Sequence, residues 1–441
     1  MQQPIPRREL GGPALAPPKL DVEAVREFLR AHQKPVHAWR VGIEYEVIGY
    51  ERDALTRIQK GRVAQLLEML CASGGVPALE RSHIIAVRMP YGDITLEPGG
   101  QIEFSGFPEL ELADNAGALC TFITDLHRCA DELGIFFIGL GFDPLCDRDA
   151  QSWIDKQRYA IMRPYLGKRG PRAWDMMTRT AAAQVSLDYG DDADLARKYV
   201  LGNRAGPIVA AMFAASPFSE GVATGYKSNR YAAWLETDAD RTGPGPASLD
   251  ERFDLERYAE QLLQVPAFFV ERDGMLYDVH GQPLAQLDGA DADDLPNLLS
   301  MVFTEARIRE YVEMRSADGS TPERALALAA FWKGLTYDPE TCDQALRCIP
   351  RLDQAAYHAL QETVAKDGLA ARVEGVDVLA LAKDLVSLGM FGLAKIAPEE
   401  LPFLDELAHA VLIDEVCPAD VYLKESKTSS VAGIARAHAV A

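Results

Sequence analysis

Apolar positions along this chain recur with two different periods. Over residues 21–33, 61–73 and 114–133 they return every three or four places, which predicts amphipathic helices. Asp21 supplies an N-cap for the first, and Gly134 a stop for the third. Strict alternation over Trp39–Tyr50, Ile84–Val87, Thr180–Tyr189 and Arg307–Arg315 predicts strands, as it does for the two arms around Pro98-Gly99-Gly100. Ile135–Phe142 is a continuous apolar run suited to a buried strand. Several helices fill 191–264, and from Pro322 onward the pattern is helical almost to the end. Residues 236–252 and 281–295 read as loops. Strands are scattered among helices at uneven spacing, with no β-α-β rhythm and no internal repeat. The expected class is therefore α+β, with a mainly antiparallel sheet.

The alternation matters most where it aligns charged groups. In Ile94-Thr-Leu-Glu-Pro-Gly-Gly-Gln-Ile-Glu-Phe-Ser-Gly-Phe107, Thr95 and Glu97 share one face of the first arm. Gln101, Glu103 and Ser105 share one face of the second. Carboxylates pointing the same way from neighbouring strands are costly unless a cation lies between them. Val41-Gly-Ile-Glu-Tyr-Glu-Val47 likewise sets Glu44 and Glu46 on one face. Over Glu305–Arg315 the odd positions carry Glu305, Arg307, Arg309, Glu313 and Arg315 together, while Ile308, Val312 and Met314 face the other way. Two readings fit this segment: a surface ladder of ion pairs, or a site where carboxylates hold Mg²⁺ and arginines bind phosphate. Gln184, Ser186 and Asp188 align on a further strand, as a solvated face or as groups that orient a small polar substrate.

Composition narrows the choice. The 441 residues carry a net charge of −21, which argues against nucleic-acid or anionic-membrane partners but admits a nucleotide accompanied by magnesium. No apolar run is long enough to span a membrane. Seven dispersed cysteines without a C-x-x-C pair fit a reducing cytoplasm. The phosphate-binding G-x-x-x-x-G-K-[ST] loop, the dinucleotide turn, zinc spacings and the nucleophile elbow are all absent from the sequence. The expected organisation is a flexible arm over 1–20, a single catalytic domain over 21–423 whose part from about 340 is helical, and a frayed tail over 424–441.

Taken in order, the segments resemble glutamate–cysteine ligase of the plant-type branch also found in bacteria, from about residue 40 to 340. The resemblance rests on Val41–Glu46, Ile94–Glu103, Gly139-Leu-Gly-Phe-Asp143, Lys156–Met162, Asp175–Thr180 and Gln184–Asp188. It continues through Ala214-Ala-Ser-Pro-Phe218, Asp238–Gly243 and Glu313-Met-Arg-Ser-Ala-Asp-Gly319. It implies a cupped antiparallel sheet of the glutamine synthetase and guanidino-kinase kind. It also implies ATP-dependent amide formation through γ-glutamyl phosphate. By the same resemblance, Glu44, Glu46, Glu97, Glu103, Glu305 and Glu313 are candidate ligands for two or three Mg²⁺ ions, with Mn²⁺ as a substitute, and Glu46, Glu103 and Glu313 lead. Arg307 and Arg315 are the candidates for stabilising the transferring phosphoryl group. Lys156, Arg158 and Tyr159 are expected at ATP, and Arg179, Gln184, Ser186 and Arg241 at the substrate. The implied partners are small molecules (glutamate, an amine such as cysteine, ATP), in a cytoplasmic monomer or homodimer.

Three places depart from the family pattern. Ser186 replaces an asparagine, Gln157 a glycine, and Ser228–Trp234 an aromatic-and-histidine stretch. They leave open a γ-glutamylating ligase with another acceptor. A guanidine phosphotransferase and a binding protein without catalysis are the readings from other classes.

Overall fold

The computed structural model describes residues 19–250, 252–373 and 375–441. The expected arm over 1–20 lies almost entirely outside the described residues. Nine strands form the main sheet: β1 (Val41–Glu51), β2 (Val76–Glu80), β3 (His83–Met89), β4 (Gly92–Leu96), β5 (Ile102–Gly106), β6 (Ile135–Ile138), β7 (Ala183–Leu187), β8 (Ala306–Ile308) and β9 (Val312–Met314). Their order is β8-β9-β7-β1-β5-β4-β3-β2, every pairing is antiparallel, and β6 pairs with the far half of β1. The helices segregate from the strands, so the α+β expectation holds.

β1 is the axis because its alternation serves two faces. Val41, Ile43, Tyr45 and Val47 are buried on the side covered by the helices Leu112–Leu133 and Pro322–Thr336. Glu44 and Glu46 point the other way. Asp21 caps the first helix, accepting from the Ala24 amide, and Gly134 ends the third at φ +68°. Both follow the sequence signals.

The Pro98-Gly99-Gly100 turn needs both glycines. Gly100 sits at φ +79°, and a Cβ on Gly99 would lie 2.4 Å from the Thr178 carbonyl oxygen. The Gly99 carbonyl also accepts from Arg57, a fully buried guanidinium paired with Asp143 at 3.2 Å. Because backbone, not a flexible side chain, blocks the space, Gly99→Ala is expected to destabilise the fold by about 1–3 kcal/mol. Denaturant unfolding checks this; an unchanged midpoint would contradict it.

Three expectations need correction. Arg307–Arg315 is not one strand but a hairpin, β8 and β9 joined by a tight turn in which Arg309 N–H donates to the Tyr311 carbonyl. The turn holds an odd number of residues, so the parity that aligned Arg307 with Glu313 survives, now as a cross-strand pair. The buried strand after Gly134 ends at Ile138 instead of Phe142. The tail over 424–441 is packed, not frayed. Ser430 caps a helix over Val431–Ala437 that buries Val431, Ile434 and Ala435, and Val440 N–H donates to the Phe137 carbonyl. Those three apolar residues at helical spacing meet the cluster around Tyr50 and Phe136.

Candidate active site

Register assembles the polar face of the sheet. Glu46 of β1 lies directly opposite Glu103 of β5, which is met on its other side by Thr95 of β4. Glu44 lies between Ser105 of β5 and Gln184 of β7. Further across, Ser186 of β7 faces Glu313 of β9, and Glu313 faces Arg307 of β8. Two carboxylates directly opposite each other are destabilising on their own, so the Glu46–Glu103 pair marks the place where the fold tolerates a cost.

A cavity of about 310 Å³ opens on this face. Its walls carry four carboxylates, Glu44, Glu46, Glu97 and Glu103, and six cations, Lys156, Arg158, Arg230, Arg307, Arg309 and Arg315. In a chain of net charge −21, an excess of positive groups in one cavity identifies a site for anions. Gln184 ties the two sets together. Its amide N–H₂ donates to Glu44 at 2.9 Å and to Glu46 at 3.4 Å, and its oxygen accepts from Arg315 at 2.5 Å. Glu46 also accepts from the Ala182 amide at 2.9 Å, and Glu103 from the Thr95 and Ser105 hydroxyls. Lys156 and Tyr159 both donate to the Leu96 carbonyl, which pins the start of the helix Gln157–Leu166 beside Glu97.

The carboxylates resist ionisation. Burial, reinforced by Glu313 and Glu103, pushes Glu44 up to about 8. Burial and the neighbouring Glu103 push Glu97 up to about 7. Burial with Glu97 and Glu103 drives Glu46 well above the ordinary carboxylate range. Glu313 is the opposite case. Its burial raises the pKa, but Arg307, Arg315 and Arg309 outweigh that and hold it at about 2.

Of the residues expected at the site, Glu44, Glu46, Glu97, Glu103, Lys156, Arg158, Tyr159, Gln184, Arg307 and Arg315 line the cavity. Five others do not. Glu313 is fully buried behind the wall, clamped by Arg307 and by Arg315 at 2.8 Å. Glu305 is turned away and saturated by donors: the Tyr231 hydroxyl, the Ser316 hydroxyl and the Gln361 amide. Ser186 sits beneath the wall, where a Cβ on Gly42 would come within 3.3 Å of it. Arg179 is buried away from the cavity, donating to the Cys146 carbonyl and the Ser219 hydroxyl. Arg241 is a core residue, bonded to Asp238 and the Met301 carbonyl and stacked 3.9 Å from the Phe268 ring centroid.

Arg309, on the charged face of Glu305–Arg315, also lines the cavity, as do two residues that no sequence motif singles out, Arg230 and Trp234. Arg230 and Trp234 stand four apart on the helix Asn229–Leu235 and so share its cavity-facing side. That spacing was the available signal.

Residues 40–400 match the sequence pattern of glutamate-cysteine ligase family 2 (GCS2). The chain belongs to this family. It is similar to the chloroplastic glutamate–cysteine ligase of Brassica juncea, with 34% identity over 408 residues covering 90% of this chain and 79% of the relative. Glutamate–cysteine ligase B of Oryza sativa subsp. japonica is 34% identical over 420 residues, covering 93% of this chain and 84% of the relative. Among solved structures, the glutamate–cysteine ligase of Francisella tularensis, crystallised with AMP, superposes with a TM-score of 0.57 over 92% of this chain and 89% of its own. Its identity is 13%, so that likeness concerns the fold. This glutamate–cysteine ligase family member is accordingly an ATP-dependent ligase, with γ-glutamylcysteine formation as its activity. No helix among the described residues is long and apolar enough to cross a membrane.

Proposed function

We propose that the cavity over β1 is where ATP, glutamate and cysteine meet, and that the four carboxylates and six cations lining it do the work. The observation that carries this reading is Gln184, which joins Glu44 and Glu46 to Arg315 across one sheet face. The γ-carboxylate oxygen of glutamate attacks the γ-phosphorus of ATP and ADP leaves, giving γ-glutamyl phosphate. The cysteine nitrogen then attacks the acyl carbon. The C–O bond to phosphate breaks, and the amine proton leaves on phosphate. Bringing a carboxylate against a triphosphate requires charge neutralisation, and Lys156, Arg158, Arg307, Arg309 and Arg315 supply it.

Glu44, Glu46, Glu97 and Glu103 would hold Mg²⁺, which would supply neutralisation of the phosphate charge. The donor set is all oxygen, as a hard cation prefers. Among the described residues no three His, Cys, Asp or Glu side chains converge on one point. Magnesium takes one or two carboxylates from a protein and completes its shell with water and phosphate. Glu313 would join only if a phosphate drew Arg307 and Arg315 away from it.

The raised carboxylates give this reading a pH signature. Glu44 and Glu97 titrate higher folded than unfolded, so their contribution to stability is present below the unfolded value and lost as pH rises through about 7 to 8. The apoprotein is expected to melt at lower temperature as pH rises from about 6 to about 9. Mg²⁺ binds the ionised cluster, so its stabilising effect should grow over the same range. Thermal unfolding with and without Mg²⁺ tests this; a metal effect independent of pH would contradict the assignment.

Of the three departures, Ser186 and Gln157 are off the cavity wall, whereas the stretch Ser228–Trp234 brings Arg230 and Trp234 onto it. Cysteine is the acceptor that the family relationship supports, and a panel of other amines in the phosphate-release assay tests it. A cytoplasmic location fits the dispersed free cysteines. The deciding assay measures phosphate release with glutamate, cysteine and Mg-ATP, and traps γ-glutamyl phosphate with hydroxylamine. Release without glutamate, or transfer to a guanidine with no free phosphate, would overturn the proposal.

A further inference from the structure

Four segments that stand out in the sequence converge on one buried carboxylate, and two of them, Gly139–Asp143 and Ala214–Phe218, supply no residue to the cavity wall. Asp318, in the loop after β9, is 1% exposed. Its Oδ2 accepts from the Ala215 amide at 2.9 Å and the Ser216 hydroxyl at 2.6 Å. Its Oδ1 accepts from the Ser228 hydroxyl at 2.7 Å and lies 3.9 Å from an Arg230 nitrogen. A Cβ on Gly141 would lie 2.5 Å from its carboxyl carbon, so the chain gives up a side chain there to admit it.

Each of the two serines passes a bond onward. The Ser216 oxygen accepts from the Arg230 amide at 3.1 Å, and the Ser228 oxygen from the Tyr231 amide at 2.9 Å. Both amides belong to the first turn of the helix Asn229–Leu235, whose exposed backbone donors need partners. That helix presents Arg230 and Trp234 to the cavity. Arg230 is itself nearly enclosed, at 3% exposure, and also donates to the Arg315 carbonyl at 3.0 Å. A buried guanidinium needs a countercharge. Asp318 supplies the larger share of it, and Glu46 a smaller one.

We propose that Asp318 is a positioning residue for the ligase: through Ser216 and Ser228 it indexes the helix Asn229–Leu235, and from behind it neutralises and aims Arg230 at the anionic substrate. The kinetic part rests on the function proposed above. Lys156, Arg158, Arg307, Arg309 and Arg315 remain for the nucleotide, so the effect should fall on glutamate.

The test uses Asp318→Asn in the full chain. kcat/KM for glutamate is expected to drop about tenfold or more, as is usual when the partner behind a site residue is removed, with KM for ATP moved less than about twofold. In a double-mutant cycle with Arg230→Lys the two losses should overlap instead of multiplying. Hydrogen exchange at the Arg230 and Tyr231 amides should quicken about tenfold, relative to β1, and this readout needs no activity. Should Asp318→Asn not fold, Ser216→Ala and Ser228→Ala, each cutting one arm of the relay, are expected to show the same exchange change in part. Multiplicative losses in the cycle, equal loss toward ATP and glutamate, or unchanged protection of the two amides would overturn the proposal. Wild-type protein inert toward glutamate and cysteine, with exchange quickened in the variant, would refute the function and leave the positioning intact.

Discussion

Glu103→Ala is expected to cut ATP turnover roughly a thousandfold, the scale of losing metal and electrostatic stabilisation of a transferring phosphoryl group. It should leave the apoprotein about as stable as before. Glu103 lies opposite Glu46 and raises the pKa of Glu44, Glu46 and Glu97. Removing it relieves that repulsion, while the hydroxyls of Thr95 and Ser105 lose an acceptor, at about 1 kcal/mol each. The two effects offset. Activity would therefore fall without the fold, and the Mg²⁺-dependent rise in melting temperature should shrink with it. Turnover unchanged in Glu103→Ala would remove the carboxylate cluster from the mechanism, and turnover lost together with the melting transition would assign Glu103 a structural role instead.

This residue also shows what a sequence can and cannot reveal. Glu103 was legible because strand alternation has a period of two and because a Pro-Gly-Gly turn fixes which arms face each other. The same parity puts Glu44, Glu46, Glu97 and Gln184 on the cavity wall. It failed for Glu305 and Glu313, since sharing a face does not say what stands in front of a side chain. Glu305 faces donors from Tyr231, Ser316 and Gln361, residues up to 74 positions away. Arg179 and Arg241 failed for a related reason. A motif marks a residue as needed, and Arg241, with Asp238 and Phe268 around it, is needed by the core. The packed tail was missed because three small apolar residues on a two-turn helix make a weak pattern until β6 and Tyr50 provide the surface they cover. The Asp318 relay joins segments 141, 215–216, 228–230 and 318, and no local rule links such distances.

Glu313→Gln carries the largest expected cost in stability. The wild-type carboxylate is fully buried between Arg307 and Arg315, and the amide would leave two guanidiniums without their counter-ion. Breaking a buried pair from one side typically costs about 3–5 kcal/mol. The pH dependence separates this from simple loss of packing. The folded pKa of Glu313 is held down at about 2, below its unfolded value, so its contribution is present above the unfolded value and lost as pH falls through about 2. The stability gap between wild type and Glu313→Gln, measured by denaturant unfolding, should therefore narrow as pH drops from about 5 toward 2, with the wild type doing the falling. A gap that stays constant over that range would mean the charge is not what the arginines hold. ATP turnover should fall as well, because Glu313 fixes Arg307 and Arg315 from behind, and the Ser300 and Val302 carbonyls and Gln184 would hold them without a counter-ion. Glu313→Asp, which keeps the charge but shortens the reach, should restore the pH dependence and only part of the turnover.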